Sequence, residues 1–211
     1  MSKAPDLIGE ATLFATPVLS FTLPDAAVLN RTLIDEIAAR RSGETGVQRS
    51  NRGGWHSADD FFRREEPGHR LLAESLLEAT RAATLRFQGD APLGSLVLEA
   101  EGWINLSHAG ALNAPHAHPG WLWSGCYYAQ VPELGGASAT DGCIEFLDGR
   151  TNLRVLSVVD MPFLRTKAQV RPVAGLLLLF PAHLMHWVYP FGGAGERVSI
   201  AFNARWTRAR A

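Results

Sequence analysis

Two histidines stand two residues apart in PHAHPGWLWSGCYYAQVPE, Pro115 to Glu133, in a chain with seven histidines in all. On an extended strand, alternation turns His116 and His118 to one face with Cα atoms roughly 6.5–7 Å apart, a spacing at which two imidazoles can share one metal ion. A third histidine, His186, lies in FPAHLMHWVYPFGGAGERVSIAFN, on an apolar strand that ends at a Gly-rich turn. The chain then returns through Arg197, Val198, Ser199 and Ile200 as the second arm of a hairpin. Alternation puts Arg197 and Ser199 on one face of that arm and Val198 and Ile200 on the other, so a guanidinium and a hydroxyl point where a core or a pocket must be. A buried arginine requires an anionic partner. A protein carboxylate such as Glu145 or Asp148 meets that requirement, and so does the carboxylate of a small acid, because the guanidinium is a planar two-pronged donor.

The elements that must position these groups fall into two textures. Residues 25–41 place Leu29, Leu33, Ile34 and Ile37 on one helical stripe behind Asp25, an N-cap candidate, and residues 68–87 repeat the spacing through Leu72, Leu76, Leu77, Ala79, Ala83 and Phe87. Gly89 and Pro92 end the second helix. Between the helices, Gly, Ser and Asn predominate in SGETGVQRSNRGGWHSADDFF, until Ser57 offers an N-cap for a short helical turn. From Leu93 onward LGSLVLEAEGWINLS, WSGCYYAQV, CIEFL, AQVRPV, GLLLLF, MHWVYPF and ERVSIAFNARW read as short β runs separated by Gly, Pro and Asn. The expected fold is α+β and mainly β. It forms one domain over residues 1–211, in which a helical part, 1–92, buttresses a jelly-roll core, 93–211.

Composition narrows the function classes. Twenty Lys+Arg against 21 Asp+Glu leave a net charge of −1, which gives no global field for nucleic acid or an anionic membrane surface. No apolar run approaches the ~20 residues needed to cross a bilayer, and the N-terminus has no uninterrupted apolar segment. Only Cys126 and Cys143 are present, too few for a disulfide framework, so a cytoplasmic setting is expected and both are read as core residues. The expected partner is a small-molecule or peptide substrate, and a symmetric homodimer is the expected oligomer if one forms.

The fragments HAHPGWLWSGCYYAQVP and GLLLLFPAHLMHWVYPFGGAGERVSIAFN, with LFATPV and SNRGGWHS upstream, resemble a group of 2-oxoglutarate/Fe(II)-dependent oxygenases known largely from bacterial and phage genomes. The resemblance covers most of the chain. It implies a double-stranded β-helix with Fe(II) at its mouth and 2-oxoglutarate as cosubstrate, whose oxidative decarboxylation yields succinate and an oxidant for a substrate C–H bond. It also implies that His116, His118 and His186 are the metal ligands and that Arg197, with Ser199 beside it, clamps the far carboxylate of 2-oxoglutarate. The chain departs from the commoner H-x-D…H triad in having His118 where the aspartate would stand, in keeping with the group's own H-x-H pattern.

The residue types alone leave other designs open. Three imidazoles also suit Zn, Cu or Ni, and a three-His zinc site with an open position is a hydrolytic design. His118 would lie outside the ligand set if Asp141, Glu145 or Asp148 supplied an oxygen. A cupin-like isomerase or cosubstrate-independent dioxygenase would share the H-x-H pair, although it usually adds a Glu that HAHPGWLWSG lacks, and a non-catalytic β-sandwich would hold no metal. Asn105 and Tyr128 are candidate cosubstrate contacts, each with a plain structural alternative. Trp121 and Trp123 are candidates for the substrate entrance, with core packing as the alternative. Asn51, Gly53, Gly54, Trp55 and His56 form either a lid or a tight turn anchored by Trp55. His56, His69, His108 and His183 are expected on the surface or in loops.

Overall fold

The computed structural model describes residues 8–89, 93–133, 138–150 and 161–209; the expectations about Pro92 and about the first residues of the N-terminus lie outside them. The two helices are α1, Ala26–Arg41, and α2, Pro67–Phe87, close to the spans that apolar spacing predicts. Leu29, Leu33 and Ile37 of α1 and Leu72, Leu76 and Ala83 of α2 are buried. Asp25 precedes α1 in a left-handed conformation, φ 50°, and its side chain makes no capping bond. The start of α2 is capped from another element: Glu36 on α1 accepts from the main-chain N–H of Gly68 at 2.8 Å and of His69 at 3.0 Å. Ser57 is not a cap. It donates to Ala58 O and accepts from Ile104 N, stitching the chain to a strand instead.

Eleven strands form among the described residues: β1 Leu19–Thr22, β2 Asn51–Arg52, β3 Trp55–His56, β4 Leu96–Ser107, β5 Leu112–His116, β6 Trp123–Gln130, β7 Ile144–Leu147, β8 Lys167–Val170, β9 Leu176–Pro181, β10 His186–Val188 and β11 Arg197–Arg208. They pair antiparallel in two sheets, ordered β1-β9-β6-β11-β4-β3 and β2-β5-β10-β7-β8. The part before residue 93 is therefore not only helical, since β1 extends the larger sheet beside β9 and the 51–56 segment adds a short strand to each sheet. Gly53 and Gly54 make that last connection at φ 71° and 72°, where Gly54 lies so near Leu106 O that a Cβ would meet it at 2.4 Å. Trp55 anchors the turn by donating from its indole N–H to Glu44 O at 3.0 Å, in line with the tight-turn reading.

Two apolar layers result. One joins the helices to the outer face of the larger sheet through Leu33, Ile37, Leu72, Leu76, Ile104, Trp123, Leu177, Ile200 and Phe202. The other, made of Tyr128, Ile144, Phe146, Leu178 and Phe180, lies between the two sheets. The mouth of that second layer carries the histidines.

Candidate metal centre and cosubstrate pocket

His116 is the last residue of β5 and His186 the first of β10, and the two are register partners in the smaller sheet. His118 is past the end of β5, held by its main-chain N–H to Ala182 O at 2.9 Å. The same-strand alternation expected for the pair is thus not what joins them; the chain leaves the ladder at His116 and turns His118 back toward it. Ring centroids are 4.9 Å apart for His116 and His118, 4.4 Å for His116 and His186, and 5.3 Å for His118 and His186. One ligand nitrogen from each residue lies within 4.8 Å of the others, and the carboxylates of Asp141, Glu145 and Asp148 are not part of this cluster.

Hydrogen bonds prepare two of the rings. His116 Nδ1 faces Ala114 O at 2.7 Å and His186 Nδ1 faces Leu184 O at 2.9 Å. A carbonyl only accepts, so each Nδ1 carries the hydrogen and each Nε2 keeps its lone pair. Burial lowers the pKa of all three. His118 falls to about 3 and His186 to about 4, with the neighbouring imidazoles as the next cause, and His116 is lowered by burial. Three neutral imidazoles that cannot easily protonate at pH 7 fit a divalent transition metal.

Beside this cluster opens a small cavity. Asn105, Ser124, Cys126, Tyr128, Arg197 and Ser199 line it from the larger sheet, and Ile144, Phe180 and Val188 supply apolar wall. Arg197 is 1% exposed. Its Nη1 donates to Gly142 O at 2.9 Å and its Nη2 to Ser107 Oγ at 3.1 Å, while Nε has no partner. Neither protein carboxylate considered for it is there. Glu145 is taken by Gln169, Trp187 and Tyr189, and Asp148 by Arg150. The hydroxyl of Tyr128 and Oδ1 of Asn105 are also buried without a hydrogen-bond partner. A buried guanidinium without a counter-anion among the described residues, beside unpaired polar atoms in one cavity, fits a small carboxylate.

The structure separates the two tryptophans from the pocket. Trp123 is buried against α2 with its indole N–H on Thr84 Oγ1 at 3.0 Å, because its parity on β6 is opposite to that of Ser124, Cys126 and Tyr128. Trp121 lies under the guanidinium of Arg205, 4.8 Å from the ring centroid. Trp103 lines the pocket instead, between His56, centroids 5.6 Å apart, and His118, 5.8 Å apart. His56 and His69 are buried rather than superficial, His56 in that stack and His69 on Glu36 at 2.8 Å; His108 and His183 are exposed. Trp103, Ser107 and Gly142 were not singled out by residue spacing. Trp103 and Ser107 carry the parity of Asn105 on β4, and Ser107 is the register partner of Arg197.

Residues 101–203 match the family described as "Putative 2OG-Fe(II) oxygenase". A prolyl-4-hydroxylase from Pseudomonas putida superposes with TM-score 0.62 at 21% identity, covering 94% of this chain and 96% of that one. The viral collagen prolyl hydroxylase of Paramecium bursaria Chlorella virus-1, in its 2-oxoglutarate complex, gives 0.55 at 16% identity over 89% and 95%. The non-heme alpha ketoglutarate dependent epimerase SnoN from nogalamycin biosynthesis gives 0.60 at 16% over 88% and 75%. At these identities the likeness is one of fold, the double-stranded β-helix. No curated protein sequence matches the chain.

Proposed function

We infer that in this chain, which belongs through residues 101–203 to the 2OG-Fe(II) oxygenase family, His116, His118 and His186 hold the iron and Arg197 holds the far carboxylate of 2-oxoglutarate. Bound together with dioxygen, iron and 2-oxoglutarate supply an oxidation of a substrate C–H bond, with succinate and CO2 as coproducts. The protein's own part is placement. Main-chain carbonyls of Ala114 and Leu184 fix the imidazoles of His116 and His186, so these two ligand nitrogens need no reorganisation. Arg197 neutralises the carboxylate at the closed end and so aims the rest of the cosubstrate toward the histidines. Ser199, Asn105 and Tyr128 stand beside it as further polar contacts, and Ile144, Phe180 and Val188 keep that end dry.

The observation that carries this reading is the guanidinium of Arg197, buried, without a carboxylate partner among the described residues, and lining the same cavity as the three histidines. A cupin-like site has no use for it, and a hydrolytic zinc site does not need it. The substrate is a small molecule or a peptide segment, since the chain's near-zero net charge gives no field for nucleic acid. The test is an anaerobic titration with Fe(II) and then 2-oxoglutarate, followed by the visible metal-to-ligand charge-transfer band, in the wild type and in Arg197→Met. A band that needs both additions and weakens in the variant is the expected result. Iron binding with no response to 2-oxoglutarate would overturn the assignment of Arg197.

A further inference from the structure

We propose that Asn203 is a positioning residue that decides whether His118 can ligate the metal, by choosing which nitrogen of that ring carries the hydrogen, and that Glu101 sets the choice. The proposal rests on His118 being one of the ligands. Asn203 follows Arg197, Ser199 and Ala201 on the pocket-side parity of β11, and Glu101 is its register partner on β4. Its amide nitrogen donates to Glu101 Oε1 at 3.1 Å and lies 3.3 Å from His118 Nδ1, while its Oδ1 is buried without a partner.

His118 is thereby unlike the other two rings. A carbonyl opposite Nδ1 forces the hydrogen onto that atom, as at His116 and His186. An amide NH2 has only hydrogens to offer, so Nδ1 of His118 must accept and the ring hydrogen belongs on Nε2. That places a hydrogen on the nitrogen remote from Asn203, the one left free for a metal. Turning the amide over would present Oδ1 to a hydrogen on Nδ1 and release Nε2. The turn would also break the bond to Glu101 and bring the amide oxygen against a carboxylate. Glu101 is therefore a latch on the non-ligating tautomer, and metal capture by His118 has to undo it.

The test reads the tautomer in the metal-free protein, by long-range proton–nitrogen spectra of the imidazoles, with the His118 signals assigned from His118→Ala. Wild type is expected to show the hydrogen on Nε2 of His118 and on Nδ1 of His116 and His186. In Glu101→Gln the side-chain amide can donate to a turned Asn203, so the His118 hydrogen moves toward Nδ1. In Asn203→Asp the new carboxyl shares one proton with Glu101 and turns its other oxygen to the ring as an acceptor, which draws the His118 hydrogen to Nδ1. Co(II) alone, followed by its visible absorption, is expected to bind about tenfold tighter in Asn203→Asp and by less in Glu101→Gln, since outer partners of this kind typically change affinity 10–100-fold. If Asn203→Asp does not fold beside Glu101, Glu101→Gln decides alone. A wild-type His118 already protonated on Nδ1, or a tautomer unmoved in the folded variants, overturns the proposal while leaving the metal site standing. A tautomer that responds in a protein that binds no Co(II) removes the metal site itself, and the proposal with it.

Discussion

Val198, Ile200, Phe202 and Ala204 project from one face of β11 into the layer under the helices, while Arg197, Ser199, Ala201 and Asn203 project from the other toward the pocket. The first set meets Leu33, Ile37, Leu72 and Leu76, and burial there is apolar against apolar. The second leaves Arg197 Nε and Asn203 Oδ1 unpaired, and on the flanking strands β6 and β4 the Tyr128 hydroxyl and Asn105 Oδ1 as well. Each unpaired buried group costs about 1–3 kcal/mol. One strand therefore carries stabilisation on its helix side and a cost on its pocket side, which a ligand would offset by supplying the missing partners. Substitutions on the two faces should differ in kind: activity without stability on one, stability without chemistry on the other.

The largest break is expected at the metal. His186→Ala removes a ligand outright, and 2-oxoglutarate turnover should fall by more than about hundredfold, beyond the 10–100-fold typical of outer partners; succinate formation measures it. Arg197→Met tests both halves of the contrast at once. Loss of charged hydrogen bonds worth about 1.5–3 kcal/mol predicts a KM for 2-oxoglutarate roughly 10–150-fold higher. The metal-free protein should be as stable or more so, by up to about 4 kcal/mol, because an uncompensated buried charge has gone. Urea unfolding of both proteins checks it, and a clearly destabilised variant would mean that the Gly142 and Ser107 bonds hold the fold together.

The helix side was the easier to read from the sequence, for the same reason that it is the stable side. Apolar residues at helical spacing locate α1 and α2 to within a residue or two, because one buried face imposes one period, and short β-rich runs bounded by Gly, Pro and Asn locate β4, β6, β9 and β11. The strands β2 and β3 are two residues each and exist only through distant partners, so no local pattern marks them. Alternation puts Arg197, Ser199 and Tyr128 on faces that line the pocket, whereas the reading of Trp123 as a substrate-entrance candidate overlooks that its parity is that of Tyr127, on the helix side. Spacing groups His118 with His116, but it is the turn after β5, not strand alternation, that brings the two rings together. The Asn203 signal was present in the run from Arg197, but an amide two positions beyond the last inward-facing residue carries no chemical mark until Glu101 and His118 appear beside it.

On the helix side, Phe202→Ala should leave the pocket chemistry in place and destabilise the fold by about 3–5 kcal/mol, the usual cost of emptying a buried aromatic site. Urea unfolding gives the size, and iron-binding stoichiometry at low temperature tells whether the pocket face survives. A loss of iron binding in a folded variant would show that the two faces are not separable.

The last effect is one of pH. His118 at about 3 and His186 at about 4 lie below the ordinary histidine value of 6.5, so between these limits the unfolded chain binds more protons than the folded one. Their contribution is intact above 6.5 and is lost progressively as pH falls through the folded values. Metal-free protein should lose stability on acidification from pH 7 toward pH 4, a range that begins above the point where carboxylates titrate, so its upper part isolates the imidazoles. Bound metal should steepen that loss, because protons then compete for the same nitrogens. Thermal unfolding at closely spaced pH, with and without Co(II), measures both slopes. In His118→Ala the metal-free slope between pH 7 and 5 should become shallower; an unchanged slope would place the acid sensitivity at the other buried histidines, among them His56, whose pKa burial also lowers.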